Sequence, residues 1–432
     1  MLAVCTRGCS MQTIIHPDVQ RLPHIDEAEK ILRNCVHCGF CNAVCPTYQL
    51  LGDELDGPRG RIYLIKNLLE TNHIDGESVE HLDRCLTCRA CETTCPSGVQ
   101  YGRLLEIGRE VIATEHSSRR KPNPLPHLVR WVVPRSWLFD PLLRIGNVVR
   151  GFLPKVLCLK IPKIAAVNAH NKRSLKPESG TLSYNVVSNV TQRKVLVLSG
   201  CVQKSATPNV NRSLASLLAS HDVAVEYLAN EGCCGALDLH LSAHAKAKQR
   251  MRYLIDKMHE SLSDYDAIIS TASGCGVTIK EYPTILADDA AYLKKAEEVC
   301  GKVVDAVEYL AQFNFSSLSA KAIRVAVHTP CSLQHGQKMP TSLEDILNRA
   351  GVQLVATGEK HLCCGSAGSY SLLQPSIASA LTARKLDNLQ LDNPDVIVTA
   401  NVGCQMQLSA SAGIPVMHWL EFLAQHHDKL TK

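Results

Sequence analysis

No apolar run in this 432-residue chain approaches the roughly 20 residues a membrane-spanning helix needs. The opening stretch MLAVCTRGCSMQ has a basic residue but too short an apolar core for a secretory signal. The chain is therefore expected in the cytoplasm, starting at Met1 or at Met11, with residues 1–10 an extension of no structural consequence. There is no G-x-G-x-x-G and no Walker A sequence, so neither a nucleotide-cofactor fold nor a phosphate loop is signalled. Aromatic residues make up only 5% of the chain and no nucleic-acid module is present, so no nucleic-acid partner is expected. Acidic residues are scarce in one place. Residues 119–176 hold thirteen Lys or Arg against a single acid, Asp140, so this segment carries +12 of a total of +5 and the remainder carries −7.

Cysteine, by contrast, is abundant, with twenty in all. In a reducing cytoplasm they read as metal ligands or redox groups rather than a disulfide framework. Eight fall in two opening runs, CVHCGFCNAVCP (residues 35–46) and CLTCRACETTCP (residues 85–96), each spaced C-x2-C-x2-C-x3-C and followed by proline. Three such cysteines can wrap one corner of an iron–sulfur cube, and in two-cluster ferredoxins the fourth ligates the other cluster. On that pattern one 4Fe–4S cluster takes Cys35, Cys38, Cys41 and Cys95, and the other takes Cys85, Cys88, Cys91 and Cys45. The rival is four-thiolate zinc, whose ribbons space two C-x2-C pairs with a long gap, unlike four cysteines within eleven residues.

Eight further cysteines belong to an internal repeat. KVLVLSGC ending at Cys201 matches RVAVHTPC ending at Cys331; EGCCGA (Cys233, Cys234) matches HLCCGS (Cys363, Cys364); DAIISTASGC ending at Cys275 matches DVIVTANVGC ending at Cys404. The offsets are 130, 130 and 129 residues. Each copy alternates β-branched runs with amphipathic stretches, which predicts α/β units with parallel strands and the cysteines at strand carboxyl ends, where sites gather. Gly235 and Gly365 allow a tight turn beside each cysteine pair. A redox or zinc site, or buried small residues, remain alternatives for this C…CCG…C pattern. Cys5, Cys9, Cys158 and Cys300 are left over and read as free thiols. His240, His244, His328 and His335 lie near repeat cysteines, where a proton-handling role competes with an ordinary structural one.

The predicted architecture is multidomain α plus α/β. It comprises an N-terminal extension (1–23), an α-helical two-cluster ferredoxin domain (24–115), a basic Pro- and Trp-containing connector (116–190), and two tandem α/β CCG repeats (191–318 and 319–432). Asp26 and Glu29 predict a capping box opening a helix into Cys35; RIYLIKNLLE and SVEHLDR predict two more helices. The connector reads either as a surface for an anionic membrane or a partner subunit, or as a solvated arm packed over the repeats.

The stretches NCVHCGFCNAVCPTYQLLGDELDGPRGRIYLIKNLLE, HLDRCLTCRACETTCPSGVQYG, ASGCGVTIKEY, HLCCGSAGSY and VTANVGCQ strongly resemble the iron–sulfur subunit of bacterial glycolate oxidase (glycolate dehydrogenase). The likeness runs over nearly the whole chain from Met11 and is weakest in the connector. The resemblance implies two 4Fe–4S clusters here, FAD on separate partner subunits that oxidise glycolate to glyoxylate, and a quinone-type membrane acceptor. It also implies a location on the cytoplasmic face of the bacterial inner membrane, with residues 119–176 as the candidate contact. Similar layouts occur in iron–sulfur subunits of lactate-utilisation enzymes and anaerobic glycerol-3-phosphate dehydrogenase, and the CCG half resembles heterodisulfide reductase. That last family adds a fifth cysteine per repeat where this chain has Thr278 and Gln407, which counts against disulfide catalysis. Four thiols per copy (Cys201, Cys233, Cys234, Cys275; Cys331, Cys363, Cys364, Cys404) leave a further iron–sulfur cluster open.

Overall fold

A computed structural model describes residues 11–120, 122–149, 193–315 and 323–427. Cys5, Cys9, Cys158 and the basic segment beyond residue 149 lie outside the described residues.

The N-terminal region is helical. Helix α1 (Ile25–Arg33) starts earlier than its sequence suggests: left-handed His24 is its N-cap, Asp26 falls inside the first turn, and the Asp26/Glu29 capping box does not form. Ile25 explains the shift, since it enters the core at the first helical position and is only 2% exposed. Asp26 and Glu27 then put negative charge on the first turn, where the helix dipole favours it. Helices α2 (Pro46–Leu51) and α3 (Pro58–Thr71) both open on proline, whose fixed φ suits that position and whose missing N–H is not needed there. Asp75 caps α4 (Gly76–Asp83) by accepting from the Ser78 N–H at 2.7 Å. A short α5 (Ala90–Thr94) and a long α6 (Tyr101–Glu115) complete the unit. Ile65, Leu68 and Leu69 of α3 meet Leu104, Leu105 and Ile112 of α6 in its core. Residues ahead of α1 join this unit: the Met11 N–H donates to the Cys35 carbonyl, the His16 N–H to that of Leu69, and Val19 is fully buried.

In the described part of the connector, α7 (Leu125–Val132) and α8 (Ser136–Val149) lie on the first repeat. Arg130 pairs with buried Asp238, and Ser205 donates to Asp140. Val129 and Leu143 face inward, while Leu128, Trp131, Trp137, Leu142 and Ile145 are exposed.

Each repeat folds as a four-stranded parallel sheet. The first holds β1 (Arg193–Leu198), β2 (Val223–Tyr227), β3 (Ala267–Ser270) and β4 (Val303–Asp305) in the order β2-β1-β3-β4. The second holds β5 (Arg324–His328), β6 (Gln353–Leu354), β7 (Val396–Thr399) and β8 (Val416–His418) in the order β6-β5-β7-β8, so the topology repeats with the sequence. Strand alternation divides the burial: Val195 and Val197 of β1 share one core with Val325 and Val327 of β5, and Trp419 and Phe422 fill the same core. Leu196, Leu198 and Ile268 face the other way, onto Met251, Leu254 and Ile255 of the helix His244–His259. The loops at the carboxyl ends of the two sheets meet, with the Ser273 and Ser332 hydroxyls 2.7 Å apart and Asn401 accepting from the Gly274 N–H at 3.3 Å. No helix among the described residues is long and apolar enough to cross a membrane.

Candidate metal centres

The two opening runs share one backbone design. His37 and Gly39 in the first run, and Thr87 and Arg89 in the second, take positive φ at matching places, which curls each loop around its first three thiols. The fourth cysteine leaves the curl in extended conformation, Cys45 at φ −81° and ψ 117°, Cys95 at φ −75° and ψ 115°. The exchange follows from that exit. One open pocket is lined by Cys35, Cys38, Cys41 and Cys95; a neighbouring one is lined by Cys45, Cys85 and Cys88, and Cys91 borders both.

Burial pushes the thiols of Cys35, Cys88 and Cys91 upward and that of Cys41 to about 11. Left alone they stay protonated at neutral pH, so thiolates here need a cationic partner such as a metal group. With the shared Cys91 counted to the second, each cavity has four cysteines at its wall, the donor set that an iron–sulfur cube takes, and the residues present fit that group.

A buried ion network braces the second cavity. Arg61 is fully buried: its Nε donates to the His81 carbonyl at 2.8 Å and its guanidinium pairs with Asp56, which Arg84 and His81 also approach at 3.1 Å. The Thr47 hydroxyl donates to the Asp56 carbonyl at 2.7 Å and lies 3.3 Å from the Cys45 sulfur, so the network fixes the crossing cysteine. Sequence reading missed Asp56 and Arg61. The signal was the turn DGPRGR, where a Cβ at Gly60 would lie 2.1 Å from the Glu54 carbonyl oxygen, leaving glycine as the residue that fits.

The repeat cysteines also gather, copy by copy. In the first, Cys201 and Cys233 sulfurs lie 3.8 Å apart, with Cys234 buried beside them and Cys275 in the first turn of the helix Ser273–Lys280. In the second, Cys331 and Cys363 lie 4.0 Å apart and Cys364 and Cys404 3.1 Å apart, with Cys404 in the first turn of the helix Val402–Ser409. The Cys404 thiol is held low by the Cys364 thiol that donates to it, and also by His328. Gly235 (φ +85°) and Gly365 (φ +83°) make the expected tight turns, and the Tyr282 and Thr382 hydroxyls donate to the Cys234 and Cys364 carbonyls. The positions of the absent fifth cysteines are used otherwise: the Thr278 hydroxyl donates to the Gly274 carbonyl, and the Gln407 amide to the Thr382 hydroxyl.

The four histidines separate. His240 and His244 are partly buried between the first repeat and the helical unit, where desolvation and neighbouring cations lower each to about 4. His335 joins the helical unit to the second repeat, 2.9 Å from the Thr93 hydroxyl. His328 alone lies among cysteines. Cys300, a leftover thiol, donates to the Ile279 carbonyl at 2.9 Å. The helical unit meets both repeats: Arg89 makes a two-pronged pair with Glu281, the Tyr370 hydroxyl donates to the Arg84 carbonyl, and Leu86 and Cys88 pack with Cys331 and Cys363.

These features have counterparts in known proteins. Residues 31–99 match the model of a 4Fe-4S dicluster domain, and residues 195–280 and 325–409 each match that of a cysteine-rich CCG domain. Over 97% of the chain, and the full length of the relative, it is 43% identical to the glycolate oxidase iron-sulfur subunit of Escherichia coli. The chain belongs to the glycolate oxidase iron–sulfur subunit family. It is 30% identical to the probable glycolate oxidase iron-sulfur subunit of Bacillus subtilis, covering 89% of each. It is 24% identical to one of the subunits of the fumarate reductase (CoM/CoB) of Methanothermobacter marburgensis, over 94% of this chain and 74% of that one. Membership supports an iron–sulfur electron-transfer subunit of an oxidoreductase complex, and the two CCG matches coincide with the repeat read from the sequence.

Proposed function

We propose that this chain carries electrons from glycolate oxidation, using eight thiolates in two crossed sets: Cys35, Cys38, Cys41 and Cys95 for one 4Fe–4S cluster, and Cys85, Cys88, Cys91 and Cys45 for the other. The observation that carries this reading is the exchange of fourth cysteines, since Cys95 lines the first run's cavity and Cys45 the second's. Bound there, a 4Fe–4S cluster supplies reversible one-electron storage. Glycolate gives up two electrons and two protons in becoming glyoxylate, at FAD on a partner subunit. This chain takes the electrons singly and delivers them to a quinone-type acceptor, which also takes two protons. Cys38 and Phe40 at the exposed rim of the first cavity offer the entry point. Arg61, buried beside Cys45 and Cys85, lowers the cost of negative charge at the second. Substrate choice between glycolate and D-lactate rests with the flavin subunit. Peripheral contact with the cytoplasmic face of the inner membrane is supported by the Trp131, Trp137 and Ile145 face of α7 and α8, set among basic residues.

The test is Cys38→Ser in the assembled complex. Flavin reduction by glycolate stays intact while quinone reduction is lost; loss of flavin reduction itself would overturn the relay assignment.

A further inference from the structure

The four thiols of each repeat are alike, but their neighbours are not. At the end of β1 the residue facing the cysteines is Leu198; 130 residues on, at the end of β5, it is His328. His328 is 1% exposed, its ring nitrogens meet no nitrogen or oxygen partner, and the group it engages is the Cys404 thiol. An imidazole sealed from water is costly unless something engages it, and here sulfur does. What lies within reach is sulfur: a His328 nitrogen and the Cys364 and Cys404 sulfurs all fall within 4.8 Å of one another.

Two further differences point the same way. Glu231 in the first repeat accepts from the N–H groups of Ser199 and Gly200, directly before Cys201. In the second repeat Pro330 replaces Gly200 and offers no N–H, and His361 replaces Glu231. Gly235 approaches the Ala247 carbonyl and Gly365 the Ala378 carbonyl, which aligns the two following helices; seven residues on, the first repeat has Leu254 and the second has Lys385. Lys385 is 1% exposed and spends its ammonium on the carbonyls of Glu359 and Lys360, 2.9 and 3.3 Å away. Leu198 and Glu231 thus stand by the first site, where Arg250 also acts on Cys233, while His328 and Lys385 stand by the second. Both sites have a cation in range of their thiols, so what sets the second apart is the imidazole among its sulfurs.

We infer that the second repeat alone is a third iron–sulfur site, held by Cys331, Cys363, Cys364 and Cys404 with His328 as a nitrogen ligand. A nitrogen beside thiolates is a donor set that iron–sulfur clusters and zinc both use, and iron and sulfide content separates them. The site also adjoins the second cysteine run, since Cys88 packs against Cys331 and Cys363, which places it next in line for single-electron exchange. The first repeat, with Leu198 in the histidine's place, is a structural partner that shares its core. This inference rests on the two-cluster reading above and extends it.

The test uses the full chain, purified without oxygen. Iron and acid-labile sulfide should each exceed the roughly eight per chain that two cubes account for. A paramagnetic signal should carry nitrogen hyperfine coupling from an imidazole, a readout that needs no variant and no activity. His328→Leu should remove that coupling, His328→Cys should lower the midpoint potential, because imidazole ligation raises it relative to thiolate, and Cys201→Ala or Cys275→Ala should leave iron unchanged. About eight irons, no nitrogen coupling, or equal iron loss from Cys275→Ala and Cys404→Ala would each overturn the inference while leaving the two-cluster relay standing. Zinc in place of iron throughout would overturn both.

Discussion

The two repeats have the same strand order, the same four thiols and the same left-handed glycine after the cysteine pair, yet their interiors carry different charge. Leu198, Glu231 and Leu254 stand in the first where His328, His361 and Lys385 stand in the second. The change from Gly200 to Pro330 shows how such divergence spreads: the proline removes one of the two N–H donors that Glu231 uses in the first repeat, and in the second histidine stands in the acid's place. A cysteine motif therefore sets which sulfurs meet, while the residues one layer out decide whether they can carry charge.

The comparison breaks most completely where the repeats are not separable. Trp419→Ala empties the core both sheets share and should cost about 3–5 kcal/mol, with both repeats melting together in calorimetry. Two separate transitions would mean the cores are independent. Next comes the glycine pair. A Cβ at Gly365 would sit 2.5 Å from the Ala378 carbonyl oxygen, against 3.1 Å between Gly235 and the Ala247 oxygen. Gly365→Ala should thus cost about 2–4 kcal/mol and Gly235→Ala about 1–2 kcal/mol in denaturant titrations. Smaller still is the cation. Lys385→Met strands two carbonyls and should cost about 1–3 kcal/mol, whereas Leu254→Met, which conserves volume, should stay under about 1.5 kcal/mol.

The smallest effect separates the repeats by pH. Burial raises the Glu231 carboxyl to about 7, so the folded state binds its proton more tightly than the unfolded state, and the first repeat loses stability as pH rises from about 4.5 to 7. Burial lowers His361, so the second repeat keeps that contribution above about pH 6.5 and loses it as pH falls. With the base-catalysed intrinsic rate divided out, amide protection should accordingly fall in β1 and β2 on going basic and in β5 and β6 on going acidic. Glu231→Gln should flatten the first profile and His361→Asn the second; parallel profiles in the wild-type chain would contradict the assignment.

Much of this was legible in the sequence because it was spelled in spacing. The cysteine runs, the repeat at 130 residues and the parallel α/β units were all periodic signals. What escaped was non-periodic. Asp26 could cap α1 as written, and only the burial of Ile25 moved the start. The Asp56–Arg61 network joins residues that look like ordinary surface charges until Thr47 and Cys45 fold over them. His328 was visible as one histidine among four, and aligning the two copies residue by residue would have set it against Leu198. Its isolation among sulfurs is a tertiary fact.

The crossed ligation is tested most directly by iron content in two double variants of the anaerobically purified chain. In Cys38→Ala/Cys95→Ala both losses fall on one set, so only about four irons should disappear. In Cys38→Ala/Cys45→Ala one loss falls on each set, and about eight should disappear. The reverse result, with the Cys45 pair losing four and the Cys95 pair losing eight, would mean each run holds its own cluster and would contradict the account.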